Sequence, residues 1–409
     1  MWRLRILHAM TLHDPSSKSG PANAAAGGTF DVAIVGAGIV GLAHALAAAR
    51  LGKRVIVIDR DAQAVGASIR NFGFITVTGQ QAGAGWQRAM RSRDIWAEVA
   101  PKAGIAVAHR GLCVVARRPE AAAVLEAFAA TEMGRDCRML TAQQAAAHVA
   151  ALRIEAAHSV LWSPHELRVE SRTAIPLLAR WLEHDLGVTF LRSTLVKDVS
   201  PPRIETTRGA VTAETAIVCP GTDLLGLFPE RIAAYNVTIC KLHMLRVDPA
   251  GTAPALNAAV MSDLGLVRYL GYAELPEAAA LRRRLEAEQG QALAHGVHLI
   301  VVRSDDGSLV VGDSHHYSNA ADPFAPAFVD DIIMDEFDGV LDLGNRHILE
   351  RWVGYYSSAP NRLMFCDRPR DDTRIVMVTS GTGASTAFAI AADVVGELFG
   401  SRSEGNGQC

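Results

Sequence analysis

Three observations on this sequence predict an α/β fold. Residues 30–59 read strand, glycine-rich turn, helix, strand and acid, in that order. Residues 374–399 repeat the strand, glycine-rich turn and helix near the C-terminus. Between them lie strand-like runs with hairpin signals, interleaved with amphipathic helices. The two ends therefore predict one parallel-sheet domain that the end of the chain completes, and the middle predicts an α+β region.

The first stretch carries the most information. Residues 31–35 are β-branched and small apolar residues, the composition of a buried parallel strand. Gly36-Ala37-Gly38-Ile39-Val40-Gly41 is a complete GxGxxG. An alanine-rich helix follows to Leu51, and Gly52 stops it. Residues 55–58 form a second strand that ends on Asp59. Gly36 allows the tight turn, Gly38 lets a pyrophosphate approach the backbone, and Gly41 lets the helix pack closely. The helix N-terminus offers N–H groups and a partial positive charge to phosphates. Asp59 accepts hydrogen bonds from ribose hydroxyls. The set reads as a Rossmann-type dinucleotide site.

Further along, residues 66–75 form a loop too apolar for a surface linker. Ser68 and Asn71 tolerate unusual backbone angles, and the loop is expected to wrap under a ligand. Residues 86–100 and 120–132 have helical spacing, with a strand at 110–116 between them. Thr141 and Gln144 mark a capping box for a short helix. Residues 171–186 are a strong amphipathic helix, and 188–199 have strand character. Arg208-Gly209 centres a hairpin, and a strand at 213–218 ends at Cys219-Pro220-Gly221. Residues 237–247 alternate like a strand, and Asp305-Asp306-Gly307 joins two more. Residues 275–295 read as a helix or a mobile excursion.

The chain has 409 residues, which favours two domains. Hydrophobic residues make up 49% and charged residues 20%, and the net charge is -3. That balance, without a long basic run, argues against a nucleic-acid surface. Six cysteines are scattered without a CxxC pair or metal-ligand spacing, so neither a metal site nor a disulfide framework is indicated. No apolar run is long enough to cross a bilayer. Residues 1–28 read as a disordered extension or a start codon placed too early, and a cytoplasmic location follows by default.

The GAGIVG turn with Asp59, the SIRNFG loop, the strand ending in Cys219-Pro220-Gly221 and the SGTGAST turn at residues 380–386 together resemble the FAD-dependent amine oxidases of the D-amino acid oxidase and glycine oxidase family. The resemblance covers nearly all of the chain after residue 28. It implies an FAD-binding domain from residues 29–85, 166–235 and 350–400. It also implies a substrate domain with a large antiparallel sheet from residues 86–165 and 236–349. By the same resemblance Gly36, Gly38, Ile39 and Gly41 hold the pyrophosphate, and Asp59 and Arg60 meet the adenosine ribose. Ser68, Asn71, Phe72, Gly73 and Phe74 lie along the flavin, and Val196 contacts the adenine side. Gly221, Gly381, Gly383, Ser385 and Thr386 complete the cofactor set. No second GxGxxG with strand context provides a nicotinamide site, so reduced flavin would pass electrons to oxygen or another acceptor.

One departure bears on substrate. Glycine oxidase-like members carry a W-x-G-L-R-P segment whose arginine clamps the substrate carboxylate. Here the run is Trp352-Val353-Gly354-Tyr355-Tyr356-Ser357, with Tyr356 in place of that arginine. The flavin-linking cysteine of the sarcosine-oxidase branch is also missing from this segment, and the next cysteine is Cys366, so the FAD is expected to be noncovalent. The implied chemistry oxidises a small amine to an imine and then a carbonyl. It asks the protein for orientation and a dry pocket rather than an obligatory base. Pocket candidates are Lys241, His243, Arg268, Tyr269, His315, Tyr355 and Tyr356, with Arg268 and Tyr269 read as part of a strand-like run. Lys241 and His243 share a strand face, whereas of His315 and His316 at most one faces the pocket. His44, Arg351 and the Arg168–Glu170 pair read as packing or structural residues. Donors without the usual arginine suit an anion bulkier than a carboxylate. The SIRNFG and SPHELRVESR stretches also resemble a subgroup tied to aminophosphonate breakdown. An aminoalkylphosphonate such as 2-aminoethylphosphonate or its N-methyl form is therefore the leading substrate. The alternatives are a glycine, sarcosine or D-amino acid oxidase using another cation, and a flavin-holding subunit or sensor without catalysis. The sequence leaves the oligomeric state open.

Overall fold

The structure is a computed structural model that describes residues 28–249 and 256–400. Nearly all of the expected 1–28 extension, and the tail from 401, lie outside the described residues. The chain builds two large sheets. The first runs Met364–Arg370, Thr373–Val378, Gly209–Val218, Thr29–Val35, Val55–Ile58, Thr189–Leu191. Its centre is parallel, and Met364–Arg370 joins antiparallel at one side. Val32, Ile34 and Val57 bury against the helices Ile39–Arg50, Ala84–Lys102, Ser171–His184 and Gly383–Phe399. Ala33, Ile56 and Ile58 pack on the opposite face with Val199, Ile204 and Phe365. Both faces are covered, which is why residues 32–35 and 55–58 are apolar at every position rather than at alternate ones. Each buried valine or isoleucine contributes about 1.5–3 kcal/mol relative to exposure.

The second sheet has ten strands, eight of them in the order His316–Ser318, Thr238–Pro249, Leu309–Gly312, Ile300–Arg303, Ala259–Ser262, Val107–Ala116, Ser159–Val169, Phe74–Ile75, with Arg138–Leu140 pairing on Ser159–Val169. Arg346–Ser358 also pairs along nearly all of Thr238–Pro249. The sheet is antiparallel except where Ala259–Ser262 meets Val107–Ala116.

Several sequence expectations shift here. The boundaries at 165/166 and 349/350 fall inside the strands Ser159–Val169 and Arg346–Ser358, and Phe74–Ile75 joins the second sheet. Hydrophobic periodicity marks a strand but not the sheet it joins. The stretch 188–199 splits into Thr189–Leu191 and Val196–Ser200, which have different neighbours. Arg268 and Tyr269 are not in a strand. They follow the 3-10 turn Asp263–Val267 and precede the helix Leu270–Ala273. Residues 275–295 hold the helices Ala278–Glu288 and Gly290–Ala294. The Thr141/Gln144 capping box forms, with Thr141 Oγ1 accepting from Gln144 N at 3.2 Å and Gln144 Oε1 accepting from Thr141 N at 2.9 Å. Among the described residues no disulfide forms, and no helix is long and apolar enough to cross a membrane.

His44 is fully buried in the first helix, where its Nδ1 donates to Val40 O at 2.7 Å. Burial pushes its pKa down from 6.5 to about 4. The unfolded chain therefore takes a proton that the folded chain refuses. The resulting stability is complete above pH 6.5 and is lost as the pH falls towards 4. Chemical denaturation of wild type should show His44 alone removing about 3 kcal/mol across that window. A His44→Gln variant should show a correspondingly flatter pH dependence, and equal slopes for the two proteins would contradict the assignment.

Candidate active site

The GxGxxG turn folds as its residues demand. Gly36 has φ of +105°, and a Cβ there would stand 2.5 Å from Cys219 O. A Cβ on Gly41 would collide with Gly36 O, so this glycine lets the helix close onto the turn itself as well as onto Ile34. Asp59 accepts from Ala37 N at 2.5 Å and from Asp61 N at 2.8 Å. Each carboxylate oxygen keeps a further lone pair for a ribose hydroxyl. Arg60 reaches Asp223 at 2.9 Å across the rim of the same groove, and Val196 and Gly221 line its walls. The helix Ile39–Arg50 has no acidic residue in its first turn and no side-chain cap at Gly38, which leaves its positive end for an anion. The helix Gly383–Phe399 also starts without a cap or an acid. The two helix starts converge, since a Cβ on Gly383 would lie 3.5 Å from Ile39 Cγ2.

The loop over residues 66–74 is tied to both helix starts. Ser68 Oγ accepts from Ile39 N at 2.9 Å, which puts it at the first helix rather than further along the groove. Asn71 is spent on the fold, donating to Ala67 O and accepting from Gly73 N and Ser171 Oγ. Phe72 and Phe74 are buried in the second sheet's core. Gly73 has φ of +63° and packs its backbone under Val169 and Arg168. Ser385 Oγ accepts from Thr76 N at 2.8 Å, and Thr386 Oγ1 donates to Thr382 O at 2.9 Å. Ser385 thus holds the last helix to the segment after the loop, and Thr386 closes the helix's own first turn.

The second sheet brings a polar cluster to the C-terminal glycine turn. Register pairs Cys240 with Tyr356 and with Tyr317, and their neighbour Lys241 with Tyr355 and with His316. Side chains alternate along a strand, so the two sets lie on opposite faces. On one face Tyr356 packs against Gly381, whose φ is +72° and whose Cβ would stand 3.2 Å from the ring. Arg268 Nη2 reaches Tyr317 Oη at 3.0 Å and Tyr356 Oη at 3.4 Å. No carboxylate among the described residues lies within ion-pair distance of that guanidinium. Burial drives the Tyr356 phenol well above its usual range, so it stays an O–H donor. His315 and Tyr269 join this side, with the His315 ring 6.1 Å from that of Tyr356 and Tyr269 Oη 3.2 Å from His298 Nε2. Burial also pushes Asp313 up to about 8, in spite of the nearby Arg268.

The other face is organised differently. Lys241 Nζ binds Asp322 at 2.9 Å and Phe324 O at 2.8 Å, and Tyr355 Oη donates to Asp322 O at 3.3 Å. His243 lies 3.7 Å from Asp330, which also pairs with Arg351 at 2.8 Å. Three of the seven pocket candidates, Lys241, His243 and Tyr355, are thus drawn away from Arg268. Period-two counting from His315 could have added Tyr317, and the same counting separates Tyr355 from Tyr356. The partner of Cys240, and with it the face, was not readable without the register.

Residues 31–397 match the family described as FAD dependent oxidoreductase. Among solved structures, glycine oxidase from Bacillus cereus ATCC 14579 superposes with a TM-score of 0.73 at 15% identity, covering 91% of this chain and 96% of that one. Iminodiacetate oxidase from Chelativorans sp. BNC1 gives 0.68 at 18%, covering 92% and 97%. L-α-glycerophosphate oxidase from Mycoplasma pneumoniae with FAD bound gives 0.68 at 17%, covering 91% and 95%. No curated protein matches the sequence. These likenesses establish the fold. The cradle suits an FAD: two helix starts without an acid or an N-cap side chain meet beside a groove lined by Asp59 and Gly38, and Ser68 takes only the first N–H of one of them.

A Cβ on Gly38 would stand 2.9 Å from Ser68 Oγ, and a larger side chain would fill the approach to Ile39 N. Gly38→Val should therefore lower flavin bound per purified chain about tenfold or more, at about 1.4 kcal/mol per factor of ten. Visible absorbance after FAD reconstitution reads this out, and full occupancy would place the pyrophosphate elsewhere.

Proposed function

This chain belongs to the family of FAD-dependent oxidoreductases, and from that premise we propose that it oxidises a small primary or secondary amine bearing an anionic group. An aminoalkylphosphonate such as 2-aminoethylphosphonate or its N-methyl form fits this reading best. The observation that carries it is Arg268. Its guanidinium is half-buried beside the Gly381 turn and held by two phenols instead of a carboxylate. It stands where Tyr356 has displaced the expected arginine, so the cation arrives from a different element.

Each group then has a task. The fork of Arg268 presents parallel N–H donors to two oxygens of an anion. Tyr317 and Tyr356 can turn their O–H groups to a third oxygen, which a phosphonate has and a carboxylate lacks. Cys240, fully buried behind half-buried Tyr356, gives the amine end a dry backing. Gly36, Gly38, Ile39, Gly41 and Asp59 would hold the dinucleotide, and Gly381 and Gly383 would border its reactive end. Bound FAD supplies two-electron acceptance from the C–H bond next to nitrogen. The imine product hydrolyses to a carbonyl and an amine or ammonia, and oxygen or another acceptor takes the electrons. The FAD is held noncovalently on this reading, so acid denaturation should release all flavin to the supernatant, and a yellow pellet would contradict it.

The test is anaerobic flavin bleaching with 2-aminoethylphosphonate, its N-methyl form, glycine, sarcosine and D-alanine side by side. The phosphonates should bleach fastest. Arg268→Met should then cost about tenfold to a hundredfold in kcat/KM, the value of a charge-assisted hydrogen bond, with flavin content unchanged. Faster bleaching by the amino acids would move Arg268 onto a carboxylate and make the enzyme an amino-acid oxidase. Flavin that no amine bleaches would leave a non-catalytic flavin-binding subunit or sensor.

A further inference from the structure

Behind the Arg268 cluster, three buried side chains aim at one point. His298 and Asp313 stand opposite each other, with His298 N donating to Asp313 O at 3.2 Å and Asp313 N donating to His298 O at 2.9 Å. His315 N is fixed in turn to His295 O at 3.0 Å. The three side chains are 2%, 3% and 8% exposed, in chain order. His298 Nδ1 lies 3.3 Å from Asp313 Oδ1, and His315 Nε2 lies 3.8 Å from Asp313 Oδ2.

The hydrogen bonding at this point is incomplete. The far nitrogen of each ring is already used, His315 Nδ1 donating to Gly296 O at 2.9 Å and His298 Nε2 bonding Tyr269 Oη at 3.2 Å. His315 Nδ1 must carry the hydrogen, because a carbonyl only accepts, so in the neutral ring Nε2 turns a lone pair towards the carboxylate. His298 Nδ1 and Asp313 Oδ1 have no hydrogen-bond partner among the described residues, and the His315 contact is 3.8 Å long, so neither contact is a formed hydrogen bond. A metal ion bonds all three.

We propose that His298 Nδ1, the Asp313 carboxylate and His315 Nε2 form a binding site for one divalent ion of the zinc class. Ligands at about 2.0–2.2 Å from a common ion are at most about 4 Å apart. Both measured pairs fall within that limit; the three groups together span no more than 4.8 Å, so the two imidazoles draw in by at most about 0.8 Å to share one ion. The outer hydrogen bonds to Gly296 O and Tyr269 are the kind that fix a ligating imidazole's tautomer and orientation. Two imidazoles and one carboxylate select divalent transition metals, zinc and iron(II) among them, over magnesium and calcium, which prefer all-oxygen sites.

The test is independent of the substrate reading. Flavin-loaded protein is stripped with a chelator, dialysed against equimolar zinc chloride, desalted and analysed for zinc by mass spectrometry. Wild type should keep about one zinc per chain, and its melting temperature should rise with added zinc. His315→Gln and His298→Gln should each cut retained zinc at least about tenfold. Flavin content confirms that a variant is folded, and if one variant fails to fold the other decides. Wild type that keeps less than about a tenth of an equivalent, without a zinc-dependent thermal shift, overturns the site. So does zinc that survives His315→Gln but is lost on replacing both His295 and His316, whose rings meet at 3.1 Å on the other face.

Discussion

One strand, Arg346–Ser358, fixes where the two sheets meet. Along most of its length it pairs with Thr238–Pro249 in the second sheet. Its inner end is stitched to the dinucleotide side. Trp352 Nε1 donates to Arg70 O at 3.2 Å, Ser357 Oγ donates to Gly221 O at 2.7 Å, and Ser358 bridges Ser380. Gly354 sits where a Cβ would be 2.8 Å from Arg70 O, so the 66–74 loop can lie directly on the strand. Tyr356 is then delivered to Gly381 with no freedom left, and Arg268, Tyr317 and His315 are arranged around it. The candidate site depends on this seam more than on any single polar contact.

The cofactor cradle was legible because each of its residues answers to local geometry. Gly36 must accept a positive φ, Gly41 must let a helix approach, and an acid must end the second strand. None of these needs knowledge of a distant partner. The Thr141/Gln144 cap and the Asp305-Asp306-Gly307 hairpin were readable for the same reason.

The substrate side was legible only in part, because it is built from register. Sequence alternation put Lys241 and His243 on one face correctly, but it could not say which face looks at Gly381. Cys240 and Tyr356 took that face, and Lys241 was drawn to Asp322. Arg268 was visible as a spare cation, but its place depends on a 3-10 turn that periodicity read as strand. His298 gave no signal, because its neighbours in the cluster come from the far side of a hairpin. Asn71 shows the converse. A polar residue in a ligand-facing loop suggests a ligand contact, yet here its side chain holds the loop's own backbone. Such a loop is ordered before anything binds, so less conformational entropy is lost when a ligand arrives.

The order of strands in the first sheet has a consequence for synthesis. Thr29–Val35 is made first, but its neighbour Gly209–Val218 comes much later, and Thr373–Val378 and the helix Gly383–Phe399 come last. At about 5–20 residues per second, on the order of half a minute separates the first strand from the last. Through that interval a nearly continuous apolar segment has no complete sheet to enter, and long-range parallel pairing is slow even once the chain is finished. The first strand finds Val55–Ile58 almost at once, but the cradle can accept its dinucleotide only after the final helix has emerged.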